Sequence, residues 1–213
     1  IGTEAAIGKA AAPSASSMLY VLISPVGDYF AGGAKPLRVL LDETGMRCSP
    51  HMGMIKSGSN YASALGPILA AKRAVHADQI LFCPNVDVQA TGAANFLLID
   101  GNEIITKALD QTFLHGVTRN SILALAADLG MKVTETQLTI DELLERAAKP
   151  SVEAALSGAA AVVTSVGTLI HNGKEHLVGS GEHGPTTRML RQALNDIQWG
   201  NAPDKHDWLT KVG

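Results

Sequence analysis

The sequence is poor in cysteine, in charge and in long apolar runs, and each shortage excludes a class of protein. Two cysteines among 213 residues, Cys48 and Cys83, are too few for a disulfide framework or a thiolate metal site, which favours a reducing compartment. With 17 Lys and Arg against 20 Asp and Glu, the chain has no basic stripe that would bind nucleic acid. No uncharged run has the length of a membrane span. We expect a soluble, cytoplasmic protein with neither nucleic acid nor a membrane as partner.

Motifs for metals and dinucleotides are also missing. The 7 histidines form no i, i+4 pair of the kind that a helical zinc site needs, so we expect no metal. No G-x-G-x-x-G follows a predicted strand, and strands do not alternate regularly with helices, which argues against a Rossmann sheet. The chain does contain 46% apolar residues, enough for the core of one domain, or of one domain and a fragment of a second.

Short apolar runs bounded by turn residues predict the strands. Residues 18–23, 37–41 and 80–83 are such runs. An Asp-Gly-Asn at 100–102 and an Asn-Gly at 172–173 lie next to further apolar segments. They predict tight hairpin turns, because glycine readily adopts the positive φ that such turns require.

Periodicity and capping signals predict four helices. The first begins near Asn60, and its predicted apolar face carries Leu65, Ile68, Leu69, Lys72 and Val75. The others cover 118–129 with Gly130 as a left-handed stop, the segment after a capping box at 139–142, and 185–198 with proline in its first turn. The pattern predicts an α+β fold with a largely antiparallel sheet or barrel.

Three segments have residue types that suggest chemistry, and each also has a simpler interpretation. Lys56 follows an apolar pair and precedes a small, glycine-containing run that could desolvate its amine and leave a nucleophile, although a lone lysine is usually a solvated charge. Residues 115–119 open a helix with a glycine, where phosphate could bind, or form an ordinary helix start. The small-residue run 157–161 could serve only close packing. His51 could transfer protons or be a surface residue, and Cys83 is most simply a buried apolar residue.

Several segments together resemble one family, and they follow its order over nearly the whole chain. They are residues 19–27, Lys56 with 60–61, then 92–96, 116–119, 157–158, 196–200 and 207–208. In these segments the chain resembles the branched-chain amino-acid aminotransferases, the fold-type IV group of pyridoxal-phosphate (PLP) enzymes. The resemblance implies that family's large domain, a mainly antiparallel sheet or pseudo-barrel flanked by helices.

The resemblance also implies a domain division. Residues 1–29 would be a remnant of the family's small N-terminal domain, 30–43 a linker, and 44–213 the large domain. Most of the small domain would then be missing, and with it the family's phosphate-binding arginine. Because removing a domain uncovers the apolar face that it covered, we expect a homo-oligomer, most simply a two-fold dimer as in the family.

The resemblance assigns roles to individual residues. Lys56 would bond the cofactor aldehyde and shuttle the proton, and Tyr61 would hydrogen-bond the 3′-oxygen of the pyridine ring. Backbone amides of Val117 and Thr118 would hold the phosphate, and Ala160 would present an amide to phosphate or to the substrate carboxylate.

Two positions depart from the family's pattern. Ala90 stands where the family has the glutamate that pairs with the pyridine nitrogen, and Ala159 stands where it has a phosphate-binding threonine. Because a protonated pyridine is the electron sink of PLP chemistry, the loss of its carboxylate partner predicts an impaired cofactor site.

Three functions follow as alternatives. The first is a repurposed enzyme that uses Lys56 and Tyr61, without PLP, for proton transfer, isomerisation or cyclisation of a small carbonyl or imine substrate. The second is a PLP-dependent branched-chain transaminase that is weakened or completed by a partner chain. The third is a non-catalytic relative that binds a ligand or a partner.

Overall fold

The computed structural model describes residues 2–3, 12–25 and 35–211, and the chain divides into two units. The smaller unit is Ile1–Ala31 and the larger one Gly32–Gly213. In the described part of the smaller unit the only sheet-like pairing is an isolated bridge between Gly2 and Ser17. The strand predicted over residues 18–23 is therefore wrong for this structure, because an apolar run becomes a strand only where a second strand pairs with it.

The larger unit is built on one mixed sheet of eight strands. They are β1 (Leu37–Asp42), β2 (Gln79–Phe82), β3 (Asn95–Asp100), β4 (Glu103–Lys107), β5 (Lys132–Thr136), β6 (Val152–Gly158), β7 (Val162–His171) and β8 (Lys174–Leu177). Their order is β2-β1-β7-β6-β3-β4-β5, and β8 pairs with β7. The pairs β1/β2, β1/β7 and β4/β5 are parallel and the other four are antiparallel, so the prediction of an α+β fold with a mainly antiparallel sheet is confirmed.

Among the described residues four helices cover this sheet, and clusters of buried side chains fill the space beneath them. The helices are α1 (Gly58–Val75), α2 (Val117–Asp128), α3 (Ile140–Ala147) and α4 (Pro185–Gln198). Leu97 and Ile104 of the sheet pack with Ile122 of α2 and Leu190 of α4 in the first cluster. The second cluster joins small residues of α1 to Phe82. None of the helices among the described residues has the length and apolar character needed to cross a bilayer.

Predictions based on local turn and cap chemistry are confirmed. Gly101 has φ of 63° between β3 and β4, and Asn172 and Gly173 have φ of 49° and 73° between β7 and β8. The Thr139 side chain accepts a hydrogen bond from the amide of Glu142, and the Glu142 side chain accepts one from the amide of Thr139, which completes the capping box. These signals depend only on neighbouring residues, so the sequence contains all the information they need.

The buried face of α1 differs from the predicted one. Leu65 and Leu69 are 55% and 44% exposed, whereas Asn60, Ala64 and Ala71 are buried. The prediction is right for Ile68 and Val75, which are partly buried and pack against the same cluster, whereas the residues that the helix buries toward β2 are small and allow close packing.

Strand β1 lies within the residues 30–43 that the sequence predicted as a linker. Residues 37–42 pair with β2 on one side and β7 on the other, so this part of the predicted linker is a central strand of the sheet. Whether residues 1–29 are a remnant of another domain stays a prediction. Strands β5 and β6 were not predicted at all.

Residues 87–91 extend the pairing beyond the edge strand β2. The amide of Phe82 donates to the carbonyl of Ala90 at 3.1 Å, and the amide of Gln89 donates to the carbonyl of Phe82 at the same distance. On its other side the segment forms an isolated bridge between Asp87 and Thr139. Backbone bonds therefore tie the Ala90 segment to the edge of the sheet.

Candidate functional site

Lys56 lies at the mouth of a cavity, in the turn that precedes α1. The side chain of Asn60 shapes this turn, since its Nδ2 donates to the carbonyls of Met52 and Ile55, each at 2.8 Å. Ser57 caps the helix and accepts a hydrogen bond from the amide of Asn60 at 3.4 Å. Lys56 is exposed. The expectation that its neighbours desolvate the amine is therefore wrong, because the flanking Ile55 is itself half exposed and covers nothing.

The start of α2 forms a second wall of the same cavity. Gly116 is the N-cap residue, and no side chain among the described residues caps the helix. The amides of Val117 and Thr118 therefore remain available, because the first amides of a helix have no intrahelical partner. A Cβ atom on Gly116 would lie 2.1 Å from Oδ1 of Asn95, so any other residue here would displace the Asn95 side chain. Asn95 in turn donates from Nδ2 to the carbonyl of Leu114 at 2.9 Å.

The end of β6 and the turn that follows it form the third wall. Ser157 pairs with Asn95 in the sheet and lines the cavity with Gly158 and Ala159. The Ser157 hydroxyl oxygen is fully buried, and within the described residues it has no hydrogen-bond partner. Such an orphaned polar group is unusual in a folded protein and is typical of a place where a polar ligand or water binds.

These three walls bring most of the predicted site residues together. Lys56, Val117, Thr118 and Ala159 all line one cavity of about 220 Å³. Ala160 does not line it, since this exposed residue lies in the turn beyond. The cavity combines an amine with the positive end of a helix dipole, an arrangement that favours an anionic ligand.

Tyr61 and Ala90 line a smaller cavity of about 20 Å³ beside the first one, and Asn95 contributes to both. The guanidinium carbon of Arg47 lies 5.8 Å from the centroid of the Tyr61 ring, and Nζ of Lys56 lies 5.6 Å from it. Ala90 is 3% exposed, so its methyl group forms part of a closed wall. Tyr61 is thus flanked by two cations, and Ala90 offers them no counter-charge.

The other two residues considered from the sequence lie outside this group. His51 is exposed in a short 3-10 turn, and neither cavity is lined by it. Cys83 is fully buried, and burial first, then nearby carboxylates, raises the pKa of its thiol far above the ordinary range. The thiol therefore stays protonated and serves packing alone.

Three residues that shape the site, Asn95, Arg119 and Arg47, received no individual role from the sequence, although Asn95 and Arg119 lie in segments that carry the family resemblance. Arg119 is 3% exposed, and its Nη2 donates to the carbonyl of Lys107 at 2.8 Å and to Glu135 at 2.5 Å, so it ties the first turn of α2 to β4 and β5. Only the tertiary structure shows that both arginines are buried. Asn95 had a weak signal, because a buried strand seldom begins with an amide side chain.

Comparison with known proteins shows the family of the chain. The sequence profile of the family described as amino-transferase class IV matches residues 4–168. A probable branched-chain-amino-acid aminotransferase of Streptomyces coelicolor is 36% identical over 98% of this chain and 58% of its own length. The mitochondrial branched-chain amino acid aminotransferase 1 of Humulus lupulus is 34% identical over 100% of this chain and 53% of its own length.

Solved structures show the same relationship at the level of the fold. The branched-chain amino acid aminotransferase from Escherichia coli superposes with a TM-score of 0.71 and 26% identity, over 83% of this chain and 57% of that one. The T.th. branched-chain amino acid aminotransferase with pyridoxamine 5'-phosphate gives a TM-score of 0.70 and 26% identity, over 84% and 56%. The chain thus has the fold-type IV architecture and spans a little over half the length of these relatives. It belongs to the amino-transferase class IV family.

Proposed function

We propose that this chain is the PLP-binding large domain of a branched-chain amino-acid aminotransferase, in which Ala90 weakens the cofactor site. The observation that carries the proposal is that Lys56 and the uncapped start of α2 open into one cavity. The names of the relatives, and the pyridoxamine 5'-phosphate in the related T.th. structure, support the cofactor and the substrate class.

The residues around the larger cavity suit two groups of PLP, the phosphate and the aldehyde. For the phosphate they offer the amides of Val117 and Thr118 and the orphaned hydroxyl of Ser157. For the aldehyde they offer the amine of Lys56. The volume of about 220 Å³ lies below the ~300–1,000 Å³ typical of sites for drug-sized ligands, which suits a single phosphorylated ring.

Each of these residues has a distinct role in the proposed reaction. PLP, when bound, supplies the electron sink that labilises the proton on the substrate α-carbon. Lys56 would hold the cofactor through its amine, and the same amine would move the proton that the substrate α-carbon loses. The Tyr61 hydroxyl, in the adjoining smaller cavity, would orient the ring, and the α2 amides would hold the phosphate and so keep the substrate near the Lys56 amine.

The third group of PLP that needs a partner is the pyridine nitrogen, and Ala90 supplies no carboxylate for it. A charge-assisted hydrogen bond contributes about 1.5–3 kcal/mol, so its loss weakens binding by roughly ten- to a hundredfold. The methyl side chain of Ala159 offers the phosphate no hydrogen bond, so this residue contributes its backbone amide alone. We therefore expect a functional but weak PLP site.

The missing carboxylate also supports a second candidate, in which Lys56 and Tyr61 act without PLP on a small carbonyl or imine compound. Lys56 is close enough to the Tyr61 ring for the two to contact one substrate, with Nζ 5.6 Å from the ring centroid. A third alternative is a silent relative that binds a ligand or partner only. The first candidate is favoured because the orphaned Ser157 hydroxyl and the α2 amides are needed for a phosphate and not for an uncharged carbonyl.

A cofactor titration separates these candidates. Purified protein is titrated with PLP while visible absorbance is recorded, and amino transfer from a branched-chain amino acid to a 2-oxo acid is then assayed. We expect saturable binding and slow transfer, both lost in Lys56→Ala and kept in Lys72→Ala, which removes an exposed lysine of α1. No binding at high PLP, with turnover of a carbonyl substrate that needs Lys56, would select the second candidate.

A further inference from the structure

Arg47 carries a buried charge that lacks an ionic partner in the described structure. The residue is 4% exposed, and its Nη1 donates only to the carbonyl of Gly53 at 3.4 Å and to Sγ of Cys48 at 3.7 Å. No carboxylate within residues 35–211 lies at ion-pair distance from it. Arginine is almost never buried unless it is paired, because removing an unpaired charge from water is costly.

The Arg47 side chain lines the smaller cavity, together with Tyr61 and Ala90. The cavity measures about 20 Å³, and a single water molecule needs roughly 10–15 Å³ by this measure, so it has room for one to two water-sized groups. The Ala90 methyl group is the small side chain that leaves this space. The Tyr61 ring lies against the guanidinium and reduces the cost of its burial, but an aromatic face carries no net charge.

Arg47 is the charged residue among those that line the cavity, and a second cation, Lys56, lies near the same tyrosine ring. Lys56 approaches the Tyr61 ring from 5.6 Å and Arg47 from 5.8 Å, so two cations flank one ring. Neither of them forms an ion pair among the residues that the structure describes. Water alone would satisfy hydrogen-bond donors of Arg47 but would leave its charge uncompensated.

We propose that this cavity is a binding site for a small monovalent anion, with formate as the size limit. The carboxylate of such an anion accepts hydrogen bonds from the Arg47 guanidinium in the planar geometry that suits arginine. Sulfate and branched carboxylates exceed the volume. The site needs no cofactor, so it stands or falls independently of the proposed transaminase activity.

Thermal unfolding of the cofactor-free protein tests the proposal. Formate is compared with pivalate at equal ionic strength and pH, since both are monovalent carboxylates but pivalate is too large for the cavity. Formate should raise Tm saturably, by about 3 to 6 °C at ten times its dissociation constant, and pivalate should not. Equal shifts with both salts, or no shift with formate, would overturn the proposal.

Substitutions at Ala90 test whether formate binds in this cavity. Ala90→Met fills the cavity without charge and Ala90→Glu fills it with a carboxylate, so each should abolish the formate-specific shift. Ala62→Glu places a carboxylate on an exposed part of α1 and should leave the shift intact. If formate still raises the Tm of Ala90→Met, the anion binds in the larger cavity beside α2 and this site is refuted. That outcome is decisive even if the glutamate variant fails to fold.

Discussion

Ala90 places a methyl group in a wall where a carboxylate would change the electrostatics of two nearby cations. The carbonyl of Ala90 accepts a hydrogen bond from the amide of Phe82, so the backbone at this position is tied to β2. The sequence showed an alanine at this point but not its surroundings. Arg47 and Ala90 are separated by more than forty residues, and only the folded chain brings both to one cavity.

Replacing Ala90 with glutamate places a carboxylate where the proposed cofactor site lacks one. The new carboxylate should strengthen PLP binding by roughly ten- to a hundredfold, because it adds one charge-assisted hydrogen bond at the pyridine nitrogen. PLP titration by visible absorbance measures this, with Ala62→Glu as the control for added negative charge. Unchanged or weaker binding would show that Ala90 does not face the ring nitrogen.

The start of α2 is the element on which the proposed phosphate site depends. Two side chains hold it: Asn95 bonds the carbonyl of Leu114, and Arg119 bonds the carbonyl of Lys107 and Glu135. In each of these contacts the two bonded residues are far apart in the sequence. The helix itself was predictable from its periodicity and its Gly130 stop, whereas the contacts that aim its first amides were not.

A matched pair of asparagine variants tests this element. Asn95→Ala should weaken PLP binding severalfold, because the loop before α2 loses its anchor to β3. Asn102→Ala removes a hydrogen bond of the same kind, from Nδ2 to the carbonyl of Gly130 at 3.0 Å, but in an exposed turn. Each should lower the free energy of unfolding by about 1 kcal/mol. Equal PLP affinities in the two variants would contradict the anchoring role.

Other elements were likewise predicted where their sequence signals are local and missed where they depend on distant residues. The two hairpins, the capping box and α4 were predicted because their signals lie within a few residues. Strand β5 escaped prediction because it is half exposed and polar, and β6 because its alanine-rich run has low strand propensity. Both become strands by pairing with partners fixed elsewhere in the sheet.

Asp100 of β3 joins the sheet to the helical layer and makes the free energy of unfolding depend on pH. Its carboxylate contacts Lys149 at 3.0 Å and Arg146 at 3.1 Å. The hydrogen bond from Lys149 is the main cause that lowers the pKa of Asp100 in the folded state. A lowered folded pKa adds stability above the unfolded pKa of about 3.9, and this contribution is lost as pH falls through the folded pKa.

Asp100→Asn should therefore destabilise the protein at neutral pH and much less at strongly acidic pH. Urea unfolding at a series of pH values measures the difference between the variant and the parent. A difference that stays constant from neutral pH down to below the folded pKa would show that the lost stability does not come from the ionised carboxylate.

We also propose that the protein forms a two-fold dimer, as expected from the sequence. The larger unit has exposed apolar side chains on and before α1, where Leu65 is 55% and Ile55 50% exposed. A second copy that covers them would gain hydrophobic free energy. Light scattering should give a dimer mass that Leu65→Lys reduces and Leu129→Lys, at an exposed leucine after α2, does not. A monomeric parent protein would contradict the proposal.

The most direct test of the central claim is to identify the amine that PLP modifies. Protein incubated with PLP is reduced with borohydride, which fixes the cofactor to its lysine, and is then digested and mapped by mass spectrometry. The account predicts that the added mass lies on Lys56, and that inorganic phosphate, by competing at the α2 amides, lowers the yield. Modification spread over exposed lysines such as Lys72, unaffected by phosphate, would contradict the account.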